Sequence, residues 1–569
     1  MKKIFLISVF ILSFLFFLSC GSEFDGTDSQ LSGDDSGNSG EVNDNYDDGD
    51  SGNTGNTGNK GDEQDTGDTG NTGDTGDIGD TGDTGDTGDY DSSDDDEENS
   101  DNDPSGDEED AEVGELIENE FVETSEEHTS TFSIDVDTAS YSLVRNYILN
   151  YNQLPPQNKV RIEEMVNYFD YDYPKAEDGE PFSVTMEMSP SPWRDDANLV
   201  MFGLKGKEIS PDLTPSSNLV FLIDTSGSMY SQNKLPLLKT AFKQLVDMLS
   251  EDDSVSIVTY AGSLNILADS VPGNEKGTLK SAIDSLEAGG STAGAEGIKT
   301  AYELAEKNLN TDGNNRVILA TDGDFNVGVS SNEALVSMIE EEREKGIFLT
   351  ILGLGMGNYK DDKMEELSNA GNGNYFYIDT EKEAEKVFVH DLMGNMFTIA
   401  KDVKLQVVFN PEKIHRYRLI GYENRVLENE DFDDDTKDAG EIGSGHRVTA
   451  FYEVIMREED EYEAVEIEEE FKEEDILLLK MRYKEPDEDI SKYMDTFMTE
   501  DYFSEDMSEN MGFASSVVEC GMLLRKSKFR ENSSYDAVKA RAMDNLGKDT
   551  FGYRGEFLEI VDKAKSLDK

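Results

Sequence analysis

Hydrophobic and polar positions follow two rhythms along this chain. Between 215 and 395, a short apolar run at 219–223 (LVFLI) and largely apolar strand patterns at 316–320 (RVILA) and 347–352 are separated by stretches of helical spacing at 235–249, 278–286, 295–309, 332–344 and 363–369. A run of four to eight apolar residues suits a strand buried on both faces. Shorter strand patterns at 254–260 and 375–378 complete the alternation. Strand and helix taking turns, with Gly or Asp loops between, predicts an α/β fold with a doubly wound, mostly parallel sheet.

On both sides of that block the rhythm becomes one of strict alternation. Segments 131–136 (TFSIDV), 182–188 (FSVTMEM), 199–206, 403–409 (VKLQVVF), 447–456 (RVTAFYEVIM) and 476–483 read as strands with one buried face. Helical spacing appears at 140–149 and 160–169, and again at 513–524, 535–546 and 557–564. The chain therefore divides into an N-terminal α+β flanking segment (116–214), the α/β domain (215–395) and a C-terminal region, β-rich and then helical (396–569). Chain termini of such domains usually lie close together. Both flanks are accordingly expected to join in one β-rich domain into which the α/β domain is inserted.

Several polar residues in the flanks have structural readings. Asp137 is expected to cap the helix that follows it, and the Asp135–Asp137 pair lacks the spaced hydroxyls of a metal loop. Glu163 and Glu164 are adjacent, so on a helix they point about 100° apart and make a poor catalytic pair. Cys520, Met494, Met498, Met507 and Met511 read as core filling. The acidic stretch 431–441 has neither Gly at its sixth position nor an acid at its twelfth, so it is a solvated loop and not a calcium loop.

Composition changes the picture mainly at the N-terminus. Lys2 and Lys3 precede an apolar run at 4–18, which predicts a signal peptide over 1–19. The sequence FLSCG around Cys20 resembles the bacterial lipobox, which implies lipidation of Cys20 and anchoring to a membrane surface. From 20 to 115 follows an acidic Gly/Asp/Thr-rich tether. Within 21–115, 34 acidic residues face the single Lys60, a net charge of -33. Glycine recurs every third residue from 52 to 88, broken at Gln64, yet the repeat lacks the proline that stiffens collagen. A disordered spacer is expected. The whole chain carries a net charge of -76, which argues against nucleic acid as a partner.

The candidate chemistry sits where strands end. Residues 218–230 read NLVFLIDTSGSMY, a buried strand followed by a D-x-S-x-S loop and then a helix, which is where α/β sheets place ligands. Asp224, Ser226 and Ser228 offer one carboxylate and two hydroxyls. A second loop, GGSTAG at 289–294, offers Thr292, with Ser291 as the alternative. The strand at 316–320 ends in Thr321-Asp322-Gly323 and offers a second carboxylate. Hard oxygen donors of this kind suit Mg2+, or Mn2+ or Ca2+, rather than zinc. A lone D-x-S-x-S is also an ordinary helix-capping sequence. Three loops in this order go further.

The set Asp224, Ser226, Ser228, Thr292 and Asp322 resembles the metal-ion-dependent adhesion site of von Willebrand factor A domains. That resemblance implies hydroxyl ligands from Ser226, Ser228 and Thr292, with Asp224 and Asp322 bound directly or through water. It favours Thr292 over Ser291, since Thr292 stands six residues before Ile298. It also implies an open coordination position that takes a carboxylate from a partner protein. The strings FSIDVDTASYS, LPPQNKVRIEEMVNYFDYDYP, EIGSGHRVTAFYEV and GYRGEFLEIV resemble the flanks of a bacterial family of lipoproteins carrying such a domain.

His128, His390, His415 and His446 are scattered, and no zinc cluster or nucleophile motif can be read around them. The expectation is a non-enzymatic, lipid-anchored protein of the bacterial cell envelope, extracytoplasmic, and at the outer membrane where the cell has one. It would bind a protein ligand through the metal. The alternatives are a scaffold whose metal is structural, or a metal-bearing subunit of an enzyme.

Overall fold

The computed structural model describes residues 117–569 apart from 211–213, 291–293, 324–331, 356–360, 392–393, 395, 459–466, 468 and 487. In chain order, strands β1 (Val122–Glu123) and β2 (Thr129–Ser133) lead to helices α1 (Ala139–Arg145) and α2 (Ile162–Asn167), then to the strand pair β3 (Phe182–Pro190) and β4 (Asn198–Gly206). The α/β domain runs β5 (Ser217–Asp224), α3 (Leu235–Met248), β6 (Ser254–Ala261), β7 (Ser263–Pro272), α4 (Lys276–Asp284), α5 (Gly294–Lys307), β8 (Asn314–Thr321), α6 (Asn332–Arg343), β9 (Ile347–Leu354), α7 (Asp361–Ala370), β10 (Tyr375–Ile378) and α8 (Glu381–Glu385). The chain returns through β11 (Thr398–Phe409), β12 (Ile414–Ile420), β13 (Val426–Leu427), β14 (Gly440–Gly443), β15 (Arg447–Met456), β16 (Asp475–Lys484) and β17 (Lys492–Thr499). It ends in α9 (Glu509–Arg525), α10 (Tyr535–Asp544) and α11 (Tyr553–Leu567).

The α/β domain is doubly wound about a sheet of order β10-β9-β8-β5-β6-β7. All its pairings are parallel except β6 with β7. Its central strands β5 and β8 are buried at every position, because helices cover both faces. Leu219, Phe221 and Ile223 pack with Leu238 and Phe242 of α3, while Val220 and Leu222 pack with Ile298 and Ala301 of α5. That is why these strands read as continuous apolar runs. The antiparallel edge strand β7 was not expected from the sequence. Ala268 is its one buried residue, while Ile266 and Leu267 beside it are exposed, so the strand carries no clear period.

The flanks interleave. One sheet has the order β1-β12-β15-β4-β3 and the other β13-β2-β11-β16-β17, so each combines strands from before and after the α/β domain. Phe132, Phe202, Leu405 and Val448 meet in the core between them, which makes a β-sandwich with the α/β domain inserted in its chain path. β4 shows how the layers stack. Val200, Phe202 and Leu204 face the sandwich core, while the alternate Leu199 and Met201 join Met165, Val517 and Phe557 under a helical layer formed by α2 and α9 to α11. Cys520, Met498 and Met511 are buried, and Met494 and Met507 are partly buried against these cores.

Helix α1 joins the sandwich to the α/β domain. Ala139 and Leu143 enter the core of that domain beside Val220, Leu349 and Tyr375. Asp137 does not cap α1: the capping position belongs to Thr138 and makes no side-chain bond. Asp137 Oδ1 instead accepts from the N–H of Tyr375 at 2.8 Å, and the first turn of α1 is served by Glu164, whose Oε2 accepts from Ser140 N at 2.7 Å. Burial between domains explains the change, since a carboxylate there bonds whichever buried N–H lies nearest. Arg145 is likewise buried. It bonds Asp379 at 2.9 Å, Glu383 and Glu556 at 2.7 and 2.9 Å, and the Tyr168 hydroxyl at 2.9 Å.

Candidate metal centre

From β5 the chain steps to β6 on one side and later crosses to β8 on the other, so the sheet order reverses between β5 and β8. Ligands of open α/β sheets sit in the crevice beyond such a reversal. Asp224 is the last residue of β5, and Asp322 follows the last residue of β8. Both are buried, at 0% and 6% exposed.

The loop after Asp224 folds back on its own carboxylate. Asp224 Oδ1 accepts from Ser226 N at 2.8 Å, and its Oδ2 accepts from the Thr321 hydroxyl at 3.4 Å. The hydroxyls of Ser226 and Ser228 converge to 2.9 Å, with Ser226 buried and Ser228 exposed at the mouth. The second loop is braced against the first: Gly227 N donates to Gly290 O at 3.1 Å and Gly289 N to Thr225 O at 2.8 Å. Gly290 holds φ +89°, a conformation in which glycine is at no disadvantage.

Burial pushes the Asp224 carboxyl up to about 6, and the charge of Asp322 adds to the rise, against hydrogen bonds from Ser226 and Thr321. Two carboxylates held close and out of water call for a cation. Lys234 answers that in part, with Nζ 2.8 Å from Asp322 Oδ2. Two carboxylates with two convergent hydroxyls are the donor chemistry that hard divalent cations take.

Of the residues singled out in the sequence, Asp224, Ser226, Ser228 and Asp322 come together at this crevice. Thr292 and Cys20 lie outside the described residues. Lys234, Thr321 and Tyr260 were not anticipated. Burial and then the Asp224 charge hold the Tyr260 hydroxyl well above its usual range, so it stays protonated. Thr321 was legible as the residue before Asp322. Lys234 had no signal in the sequence, and its stem lies against Gly355, which follows β9. A Cβ at Gly355 would collide with Lys234 Cε.

The histidines are less scattered in space than in sequence. His390 and His446 line one cavity of about 130 Å3 between the α/β domain and the sandwich, with Lys386, Asp391 and Arg447. Burial, with help from Arg447 and Lys386, holds His446 down at about 3, so it is neutral. Among the described residues no three His, Cys, Asp or Glu side chains form a metal-holding group.

Comparison with known proteins accounts for all three regions. Residues 218–390 match the von Willebrand factor type A domain, residues 394–567 the domain described as "Uncharacterized protein YfbK, C-terminal", and residues 107–201 a domain described as von Willebrand factor. The chain is 39% identical over 464 residues to the uncharacterized protein YfbK of Escherichia coli, covering 79% of this chain and 80% of that one. It is 29% identical over 172 residues to the uncharacterized protein sll0103 of Synechocystis, across 30% of this chain and 40% of that one. A solved structure, a von Willebrand factor type A protein from Catenulispora acidiphila, aligns over 68% of this chain and 91% of its own at 16% identity and a TM-score of 0.39. Proteins with A domains often mediate protein interactions, are typically not enzymes, and commonly hold a divalent metal at the adhesion site. With a relative this similar across four fifths of both chains, the protein belongs to the YfbK family, in which a von Willebrand factor type A domain precedes the YfbK C-terminal domain.

Proposed function

We propose that this chain is a lipid-anchored protein of the cell envelope that binds a partner protein through a divalent cation, with Mg2+ as the natural candidate. Asp224, Ser226, Ser228, Thr292 and Asp322 would hold the ion, and Cys20 would carry the lipid. The observation behind this reading is the meeting of two buried carboxylates and two hydroxyls at the reversal of the sheet. When bound, the cation supplies a positive centre for an anionic group. The chain's own contribution is to hold neutral hydroxyls close to it, which leaves the ion short of negative charge and receptive to a carboxylate from the partner.

Affinity capture from envelope extracts tests the reading. Wild-type protein in Mg2+ is expected to retain a partner that is released by EDTA and absent with Asp224→Ala. Retention that survives both changes points to a scaffold whose contacts lie elsewhere, and turnover of a small molecule by the captured material points to an enzyme subunit.

A further inference from the structure

Lys234 stands at the entry to α3, on the wall of the crevice, and its side chain is 13% exposed while that of Asp322 is 3% exposed. Its ammonium donates to Asp322 Oδ2 at 2.8 Å. The stem of the lysine lies against Gly355, which follows β9 with φ +73°, and any side chain there would occupy the space of Lys234 Cε. A channel is thus kept free for one lysine to reach one of the two buried carboxylates.

The charges make that position informative. Asp224 and Asp322 together carry two negative charges, and Lys234 returns one positive charge. A divalent cation needs the Asp322 oxygens, directly or through water, and would then lie within a few ångströms of the ammonium. Like charges at that separation repel strongly where water is scarce. Lys234 also has a flexible four-carbon stem and a strongly hydrated head, so water can receive it when it leaves.

We propose that Lys234 is a resident counter-ion: it occupies the Asp322 corner while the site lacks metal, and it must swing out when a divalent cation binds. It offsets one of the two negative charges of the metal-free site and weakens the site's affinity for metal, so it sets the cation concentration at which the partner can be bound. This rests on the metal reading above. The same lysine accounts for how two buried acids stay folded together without an ion.

Calorimetric titration of Mn2+ and Mg2+ into the metal-stripped full-length protein provides the test, alongside melting temperatures with and without metal. Lys234→Gln is expected to bind Mn2+ roughly tenfold more tightly than wild type, since an internal competitor has been removed. It should melt lower without metal and gain more on adding it. Gly355→Ala approaches from the other side, crowding the lysine stem off Asp322, and should tighten metal binding in the same direction. Lys243→Gln, which removes a lysine of α3 paired with Asp284 at the surface, should titrate as wild type does. Equal or weaker Mn2+ affinity in both Lys234→Gln and Gly355→Ala overturns the inference while leaving the metal reading standing. Absence of binding in every protein, wild type included, overturns both.

Discussion

Glu163 shows what burial does to a single side chain in this molecule. It is 2% exposed, and its Oε2 has no hydrogen-bond partner among the described residues. Burial first, and then the charges of Glu423 and Asp135, push it up to about 7, with Arg525 pulling the other way. Between the ordinary 4.5 and about 7 the folded chain keeps a proton that the unfolded chain has lost, so stability falls as pH rises through that window. Glu163→Gln should remove the loss, gaining up to about 3 kcal/mol at pH 8 and nothing at pH 4. Urea midpoints of both proteins across that range check it, and a parallel pH dependence in the variant would assign the effect elsewhere. None of this was visible in the sequence, where Glu163 is one acid in a helical pattern. Asp224 and Asp322 were visible because each stands at the end of a buried apolar strand. Lys234 was not, since it reaches Asp322 across 88 residues.

Elements that bury both faces announced themselves, whereas some strands with a weaker alternation did not. β5 and β8 stood out as apolar runs. β12, with the sequence IHRYRLI, went unnoticed because Arg418 is buried there and pairs with the equally buried Glu453 at 2.7 Å, which breaks the alternation. β17 is an edge strand with one fully buried side chain, Met498, in a polar setting. Helix α1 was legible at 140–149, but its buried charge was not: Arg145 looks like a solvent-facing position and is in fact the cation that holds Asp379 and Glu383 between domains. Replacing it with Met leaves those carboxylates without their ion pair, and breaking a buried pair on one side costs about 3–5 kcal/mol. Arg145→Met should lower the denaturation midpoint accordingly. A variant that unfolds within about 1 kcal/mol of wild type would show that water or a rearranged partner compensates.

In the whole molecule, the sandwich can close its two sheets only after the α/β domain has been made, because β11, β12 and β15 follow it and pair with β2, β1 and β4 respectively, which precede it. The α/β domain therefore projects from a frame that holds both its ends, with α1 packed on its edge strand β10. Among the described residues no helix is long and apolar enough to cross a membrane, and the proposed attachment is through Cys20. Cys20→Ala should move the protein from the membrane fraction to the soluble one, and mass spectrometry of the mature N-terminus should show acyl chains on the wild type alone. Everything proposed about binding depends on a cation at the reversal between β5 and β8. The direct measurement is titration of Mn2+ into metal-stripped wild type and Asp224→Ala, followed by the paramagnetic signal of the bound ion. A single site in the wild type that vanishes in the variant is the predicted result; equal binding by both proteins, or none by the wild type, would contradict it.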